Sequence, residues 1–289
     1  SDNPLIVHVA DKKTISEIAK DITPIEQKLI DNFMPGPFTL ILNKTDKIPN
    51  IVSAGLDTVA IRMPDSVIAR GIITFSGVPI AAPSANVSGK PSGTTIEDIR
   101  KELEGKVSAI IDGGESQIGL ESTVVKVIDE VPCILRPGKV TPEDIEKVIG
   151  IVDFGNGIFS PIEQDEKIES PGIKHKHYAP ETPAQIFYSE DDQYLVFQMN
   201  HVIKSYESDV VVLGFDEHKD KIVVSENRFI NLGSQRNLDE IARNIYSALR
   251  KADKLGAQII LIEGIRKEGL GIAIMNRLLR SCGYNYIEF

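Results

Sequence analysis

Between Ala81 and Thr95 the chain reads Ala-Ala-Pro-Ser-Ala-Asn-Val-Ser-Gly-Lys-Pro-Ser-Gly-Thr-Thr. Ser84, Asn86, Ser88, Lys90, Ser92 and the two glycines gather hydrogen-bonding groups in a stretch with no large aromatic side chain. Glycine lets backbone N–H groups approach a ligand closely, and hydroxyls beside a helix start suit a phosphate. A polar surface loop would have the same composition. What separates this one is its position. Val78–Ala82 reads as a short buried strand and Thr94–Gly105 as a helix, and strand-to-helix turns are where α/β folds place ligands. No Gly-Lys-Ser/Thr follows a glycine at Walker spacing, so this is not a P-loop.

Other chemistry-bearing residues sit at the ends of apolar runs. His8 interrupts Leu5-Ile6-Val7-His8-Val9, Arg62 closes Thr58-Val59-Ala60-Ile61-Arg62, Ser122 opens Ser122–Ile128, and Arg136 closes Pro132–Arg136. A strand-end arginine is a surface charge or an anion clamp. A lone histidine among aliphatics is more often a core residue than a functional one. Ser170-Pro171-Gly172-Ile173-Lys174-His175-Lys176-His177-Tyr178-Ala179-Pro180 concentrates two imidazoles and a phenol. Two histidines two apart with no further His or Cys make a poor metal site. A lid is the better reading.

The elements that must position these groups follow from patterning. A helix is expected near Thr14–Lys20, and a second from Thr23, with Pro24 at N1 and Glu26 completing a capping box. Further expected strands are Phe38–Asn43 and Val107–Ile111. Asp65 opens a helix to about Ser76, Asp129-Glu130-Val131 joins a hairpin, and Thr141 caps a helix to about Ile149. Residues 1–153 form a mixed α+β domain, and 154–183 a linker. Residues 184–289 form a smaller Rossmann-like α/β domain. In that last region the expected strands are Ala184–Tyr188, Val210–Phe215, Arg228–Leu232, Gln258–Glu263 and Tyr286–Phe289. Asn237 or Asp239 opens a long amphipathic helix, and Gly269-Leu270-Gly271 leads into the last one. Gly-Leu-Gly lacks the rest of a dinucleotide fingerprint and reads as a tight turn.

Composition narrows the function. The 289 residues carry 32 basic and 42 acidic side chains, a net charge of −10. That argues against a general binder of nucleic acid or anionic membrane. Cys133 and Cys282 are far apart with no metal spacing and fit buried thiols in a reducing cytosol. No apolar run reaches the length of a membrane span, and no signal peptide is evident.

The motifs are informative in their order. Asn-Pro-Leu-Ile-Val-His-Val, Pro-Gly-Pro-Phe-Thr-Leu-Ile-Leu, Thr-Val-Ala-Ile-Arg-Met-Pro, Ala-Pro-Ser-Ala-Asn-x-Ser-Gly, Gly-x-Glu-Ser-Thr-Val and Leu-Arg-Pro-Gly follow one another along the chain. This series closely resembles the YrdC-like domain. With the Lys-His-x-His-Tyr-Ala-Pro linker and the C-terminal domain, it resembles the two-domain L-threonylcarbamoyladenylate synthase family over the whole chain. The family carries a Lys-x-Arg element ahead of Asn3-Pro4-Leu5 and a Pro-Thr-Glu-Thr segment further upstream. Neither lies within these residues.

The resemblance implies an enzyme that joins L-threonine, bicarbonate and ATP into threonylcarbamoyl-AMP with release of pyrophosphate. The product supplies N6 of adenosine 37 in tRNA. No protein nucleophile is required and no protein metal site is expected; Mg²⁺ enters with the triphosphate. By resemblance, ATP is held by Asn3, Thr58, Ser84, Ser92, Arg136, His175 and Tyr178, and threonine by His8, Arg62, the backbone near Ala82, and Ser122. Proteins of the tRNA-modification pathway are candidate partners of the C-terminal domain, and stable nucleic-acid binding is not required. Two rival readings are an RNA-binding accessory factor and a carbamoyl-transfer domain of the hydrogenase-maturation kind. The acidity and the lack of an aromatic-rich basic stripe count against the first, and the missing zinc-finger and partner domains against the second.

Overall fold

The structure is a computed structural model that describes residues 3–87, 89–161, 179–207 and 209–289. The chain divides into two compact units that cut across sequence order. One comprises the chain as far as Ser84 and the stretch from Glu121 to the linker. The other comprises Ala85–Leu120 and the chain beyond the linker.

The first unit is built on an eight-stranded mixed sheet. Its strands are β1 (Ile6–His8), β2 (Ala19–Lys20), β3 (Phe38–Lys44), β4 (Thr58–Arg62), β5 (Ile80–Ala82), β6 (Thr123–Ile128), β7 (Val131–Arg136) and β8 (Asp153–Phe154). The order is β5-β1-β4-β3-β6-β7-β8, with β2 also paired to β3. β1 runs parallel to β4 and antiparallel to β5, while β3 runs antiparallel to β4 and parallel to β6.

The helices start where the sequence signals them. Helix α2 (Pro24–Phe33) has the expected capping box: Thr23 accepts from the Glu26 N–H, and Glu26 Oε2 accepts from the Thr23 N–H at 2.7 Å. Helix α5 (Pro142–Ile149) repeats the device with Thr141 and Asp144. The β6–β7 hairpin turns through Asp129 and Glu130, both at positive φ. Helix α1 covers Lys12–Ile18, two residues earlier than expected, because Asp11 is its N-cap. Helix α3 (Val67–Ser76) is capped by Ser66.

The second unit contains a five-stranded, wholly parallel sheet. Its order is β11 (Phe229–Asn231), β10 (Val210–Gly214), β12 (Ile259–Glu263), β9 (Ala184–Tyr188) and β13 (Tyr286–Glu288). Successive strand residues enter opposite cores. Ile186, Val211, Leu213, Ile260 and Ile262 pack with helices α7 (Leu238–Lys254) and α8 (Leu270–Ser281). Phe187, Val210, Val212, Ile259 and Leu261 pack with α6 (Asp192–Ser205). Covering both faces explains why these strands read as unbroken apolar runs. The molecule is of the α/β class.

One expected strand is not formed, and one helix was not signalled by the sequence. Val107–Ile111 is not a strand: among the described residues no strand pairs with it, and Val107 and Ile111 are exposed. Helix α6 gave no clear signal, because polar Gln193, Asn200 and His201 interleave its buried Leu195, Val196, Met199 and Ile203. Among the described residues, no helix is long and apolar enough to cross a membrane.

Candidate functional site

Strand alternation sorts the first sheet into two faces. On β4, Thr58, Ala60 and Arg62 share one side, and Val59 and Ile61 the other. Register carries that side across the sheet: Ile6 lies beside Ala60 and His8 beside Arg62, Ala82 beside Ile6, Ile41 beside Ala60, and Val124 beside Thr39. The opposite side buries Val7, Leu40, Val59, Ile61 and Phe38, the last with its ring 5.1 Å from Phe33 of α2. The candidates on the strands, His8, Thr58, Arg62 and Ala82, therefore occupy the face that α2 does not cover. Its floor is an apolar cluster of Ile41, Ala60 and Val124, with Ile6 and Leu135 packed against it.

At one end of this face stand His8 and Arg62. The Arg62 Nε donates to the Gly36 carbonyl at 3.1 Å, and the Gly36 N–H donates to the Met63 carbonyl at 2.8 Å. The turn through Pro35, Gly36 and Pro37 thus ties itself to the end of β4 and aims the guanidinium. Among the described residues, the two terminal nitrogens of Arg62 have no hydrogen-bond partner. Burial lowers the Arg62 pKa, opposed by Asp65, yet a guanidinium stays charged at any working pH. His8 is held down to about 4, by burial first and by the Arg62 charge second. It is a neutral imidazole near pH 7, and its Nδ1 is buried without a partner. Buried polar atoms are normally satisfied, which sets this one apart on the face.

The same end carries a tighter cluster. Thr39 and Ser122 share a buried hydroxyl–hydroxyl bond of 2.7 Å. Arg136 donates to the Ser122 carbonyl from Nε at 3.1 Å and from Nη2 at 3.0 Å, and to the Ser122 hydroxyl at 3.1 Å. Thr123, pointing the other way, donates to the Val140 carbonyl at 2.7 Å. Gly138 makes this crossing feasible: a Cβ there would lie 2.5 Å from the Thr123 nitrogen and 2.6 Å from the Glu121 carbonyl oxygen. Thr39 was not singled out in the sequence. Its signal was available, as the hydroxyl of Pro-Gly-Pro-Phe-Thr-Leu-Ile-Leu two positions before the inward-facing Ile41.

The remaining candidates are distributed differently. Thr58 begins β4, at the end of the face opposite Arg62, and Ala82 lies at this end of β5 beside Ile6. Ser84 follows β5 and is exposed. Asn3 precedes β1, and its Oδ1 is buried without a partner. Ser92 belongs to the second unit, its hydroxyl 3.5 Å from Asn86 Oδ1. His175 and Tyr178 lie outside the described residues. The first unit thus brings His8, Arg62, Ser122 and Arg136 to one end of a face and Thr58, Ala82 and Asn3 toward the other. Among the described residues, no three His, Cys, Asp or Glu side chains gather as they would around a metal ion. Two guanidiniums, hydroxyls and a neutral imidazole over an apolar floor suit an anionic, partly apolar ligand rather than a bare cation.

The chain is similar to known proteins over both of its halves. The Sua5/YciO/YrdC family model, described as Telomere recombination, matches residues 1–138. A second model, described as Threonylcarbamoyl-AMP synthase, C-terminal domain, matches residues 140–283. The Threonylcarbamoyl-AMP synthase of Pyrococcus abyssi is 38% identical over 100% of this chain and 82% of its own length. That of Bacillus subtilis is 40% identical over the same shares. A crystal structure of the P. abyssi protein, Sua5 complexed with L-threonine, superposes with a TM-score of 0.91 at 38% identity, covering 100% of this chain and 82% of that one. With both halves matched in order, and full-chain relatives at this identity, the chain belongs to the threonylcarbamoyl-AMP synthase family.

Proposed function

We propose that the face between His8–Arg62 and Thr58 binds L-threonine and ATP, and that the protein joins them with bicarbonate into threonylcarbamoyl-AMP. The threonine amine forms a C–N bond to bicarbonate carbon, and hydroxide leaves as water. An oxygen of the resulting carbamate then attacks the α-phosphorus, and the bond to pyrophosphate breaks. No protein side chain forms a covalent intermediate. The protein's part is positioning and charge neutralisation.

The observation that carries this reading is the pairing of Arg62 and His8 on neighbouring strands. Arg62 offers two unengaged terminal nitrogens for the threonine carboxylate. Neutral His8 offers an unpartnered Nδ1 to the substrate's polar groups. Ser122, held by Thr39 and Arg136, adds a hydroxyl at this end, and Arg136 links it to the nucleotide phosphates. Asn3, Thr58 and Ser84 take the nucleotide in the first unit. Mg²⁺ enters on the triphosphate oxygens, since the donor set on this face is cationic and neutral. The product serves threonylcarbamoylation of tRNA. Two buried free thiols, Cys133 and Cys282, support a reducing cytoplasmic setting.

The test is pyrophosphate release by the full-length protein with ATP, bicarbonate and Mg²⁺. Release that needs threonine, fails with serine and needs no RNA supports the reading. Equal release with serine, or dependence on added RNA, overturns it and favours an RNA-linked role.

A further inference from the structure

The parallel sheet of the second unit has a point where its connections part. From β9 the chain passes through α6, on one face, to β10; from β12 it passes through α8, on the other face, to β13. Strands β9 and β12 are neighbours, so their outgoing segments leave in opposite directions and open a crevice beyond the carboxyl ends of the two strands. A cavity of about 340 Å³ lies there. Its walls include Glu190, Asp192 and Leu195 after β9, Ile265, Arg266 and Glu268 after β12, and Leu238 at the start of α7. His218, 1% exposed, adds a polar group behind Asp192. Its Nδ1 meets Glu263 Oε1 at 2.6 Å, and its Nε2, buried without a hydrogen-bond partner, lies 3.7 Å from Asp192 Oδ2.

On these walls three acids face one base. Elsewhere in the unit the buried carboxylate of Glu102, on α4 (Ile96–Leu103), is met at 2.5 Å by Arg250 of α7, whose fork also donates to the Pro91 carbonyl. The crevice pair is looser: Arg266 Nη2 lies 3.8 Å from Glu190 Oε1, and the two side chains are 61% and 78% exposed. A pair so exposed contributes little, so each member exchanges its partner for a ligand group at small cost. The surplus of carboxylates repels the dianionic phosphate of a nucleotide and attracts an ammonium group. Arg266, near the N-terminal end of α8, supplies the counter-charge for a carboxylate. Leu195, Leu238 and Ile265 supply apolar surface. We propose that this crevice is a second small-molecule site that takes a free α-amino acid with an apolar side chain. Glu190 and Asp192 receive its ammonium group, Arg266 its carboxylate, and the three aliphatic residues its side chain. The site lies wholly within the second unit and does not depend on the reading of the first.

The test is titration calorimetry on the full-length protein with L-leucine, L-phenylalanine, L-leucinamide, N-acetyl-L-leucine and AMP as probes. L-threonine is left out because the first unit is proposed to bind it. L-leucine or L-phenylalanine should bind saturably. Leucinamide lacks the carboxylate and N-acetyl-leucine the ammonium group, and each should bind on the order of tenfold more weakly, the worth of one charged contact. R266A should weaken leucine by a similar factor while leaving leucinamide unaltered, since the group that Arg266 meets is already gone. E190Q should likewise weaken leucine and spare N-acetyl-leucine. Both residues are exposed, so neither variant threatens the fold. Amides of residues 188–195 and 264–270 should exchange more slowly with leucine present, and R62A should bind leucine as wild type does. Any of four results would overturn the proposal: no saturable binding of either amino acid, leucine binding indifferent to R266A, loss of leucine binding in R62A, or AMP binding that R266A abolishes.

Discussion

Arg136 holds Ser122 by three hydrogen bonds, two to its carbonyl and one to its hydroxyl, with Thr39 bonded to that hydroxyl from the other side. A residue assigned to the nucleotide is thereby locked to one assigned to threonine. Removing either should disturb both substrates. Ser122→Ala strands the fully buried Thr39 hydroxyl and costs about 1–3 kcal/mol of stability by the usual penalty for an unpaired buried group. Both ATP and threonine KM values should rise in Arg136→Ala, checked by separate titrations of pyrophosphate release.

The His8 imidazole predicts a pH dependence. Its folded pKa of about 4 lies below the ordinary value of 6.5, through burial and the Arg62 charge. Between those values the unfolded chain takes up a proton that the native protein does not, so lowering the pH through this window destabilises the fold. Above about pH 6.5 the effect vanishes. Unfolding in urea should show wild type losing stability relative to His8→Gln as pH falls from 7 toward 4, and a constant difference above 7.

Gly138 is the space through which the chain passes over Glu121–Thr123. Ala at this position would press Cβ into main-chain atoms that have no freedom to move. Gly138→Ala is expected to cost about 1–3 kcal/mol, the usual penalty for overpacking, and to lower activity by displacing Ser122. A melting curve and the pyrophosphate assay on the same preparation check both.

In the second unit, Glu263 is fully buried at the end of β12. It accepts from the Phe215 N–H at 2.7 Å and meets His218 Nδ1 at 2.6 Å. Burial raises the Glu263 pKa, while the bond to Glu263 raises that of His218. Glu263→Ala leaves both partners unsatisfied and should destabilise this unit by about 3–5 kcal/mol, the range for breaking a buried pair. Calorimetry should show the loss.

How much of this was legible in the sequence depended on the range of the interaction. The capping boxes at Thr23 and Thr141 and the Asp129-Glu130 hairpin are local, and the chain forms them where its residues signal them. The doubly covered sheet announced itself in apolar runs such as Ile259–Leu261. Arg62 and His8 were visible as polar residues at strand ends, but their adjacency is a matter of register between strands more than fifty residues apart. Thr39 was hidden because a buried threonine in a strand looks like an ordinary β-former until its hydroxyl meets Ser122. The apolar spacing of Val107–Ile111 suggested a strand, yet a strand also needs a partner, which spacing cannot supply. Nor does any local pattern say that Arg250 reaches Pro91, far away along the chain.

The central claim is that Arg62 meets the carboxylate of threonine. It is tested most directly by titrating Arg62→Ala in the pyrophosphate assay, once with threonine and once with ATP varied. Losing a two-pronged guanidinium–carboxylate contact is worth about 2–3 kcal/mol, so the threonine KM should rise on the order of 10²-fold. The ATP KM should stay within about threefold, since Arg62 makes no contact with the nucleotide in this account. A variant that needs far more ATP while its threonine requirement is unchanged would contradict it.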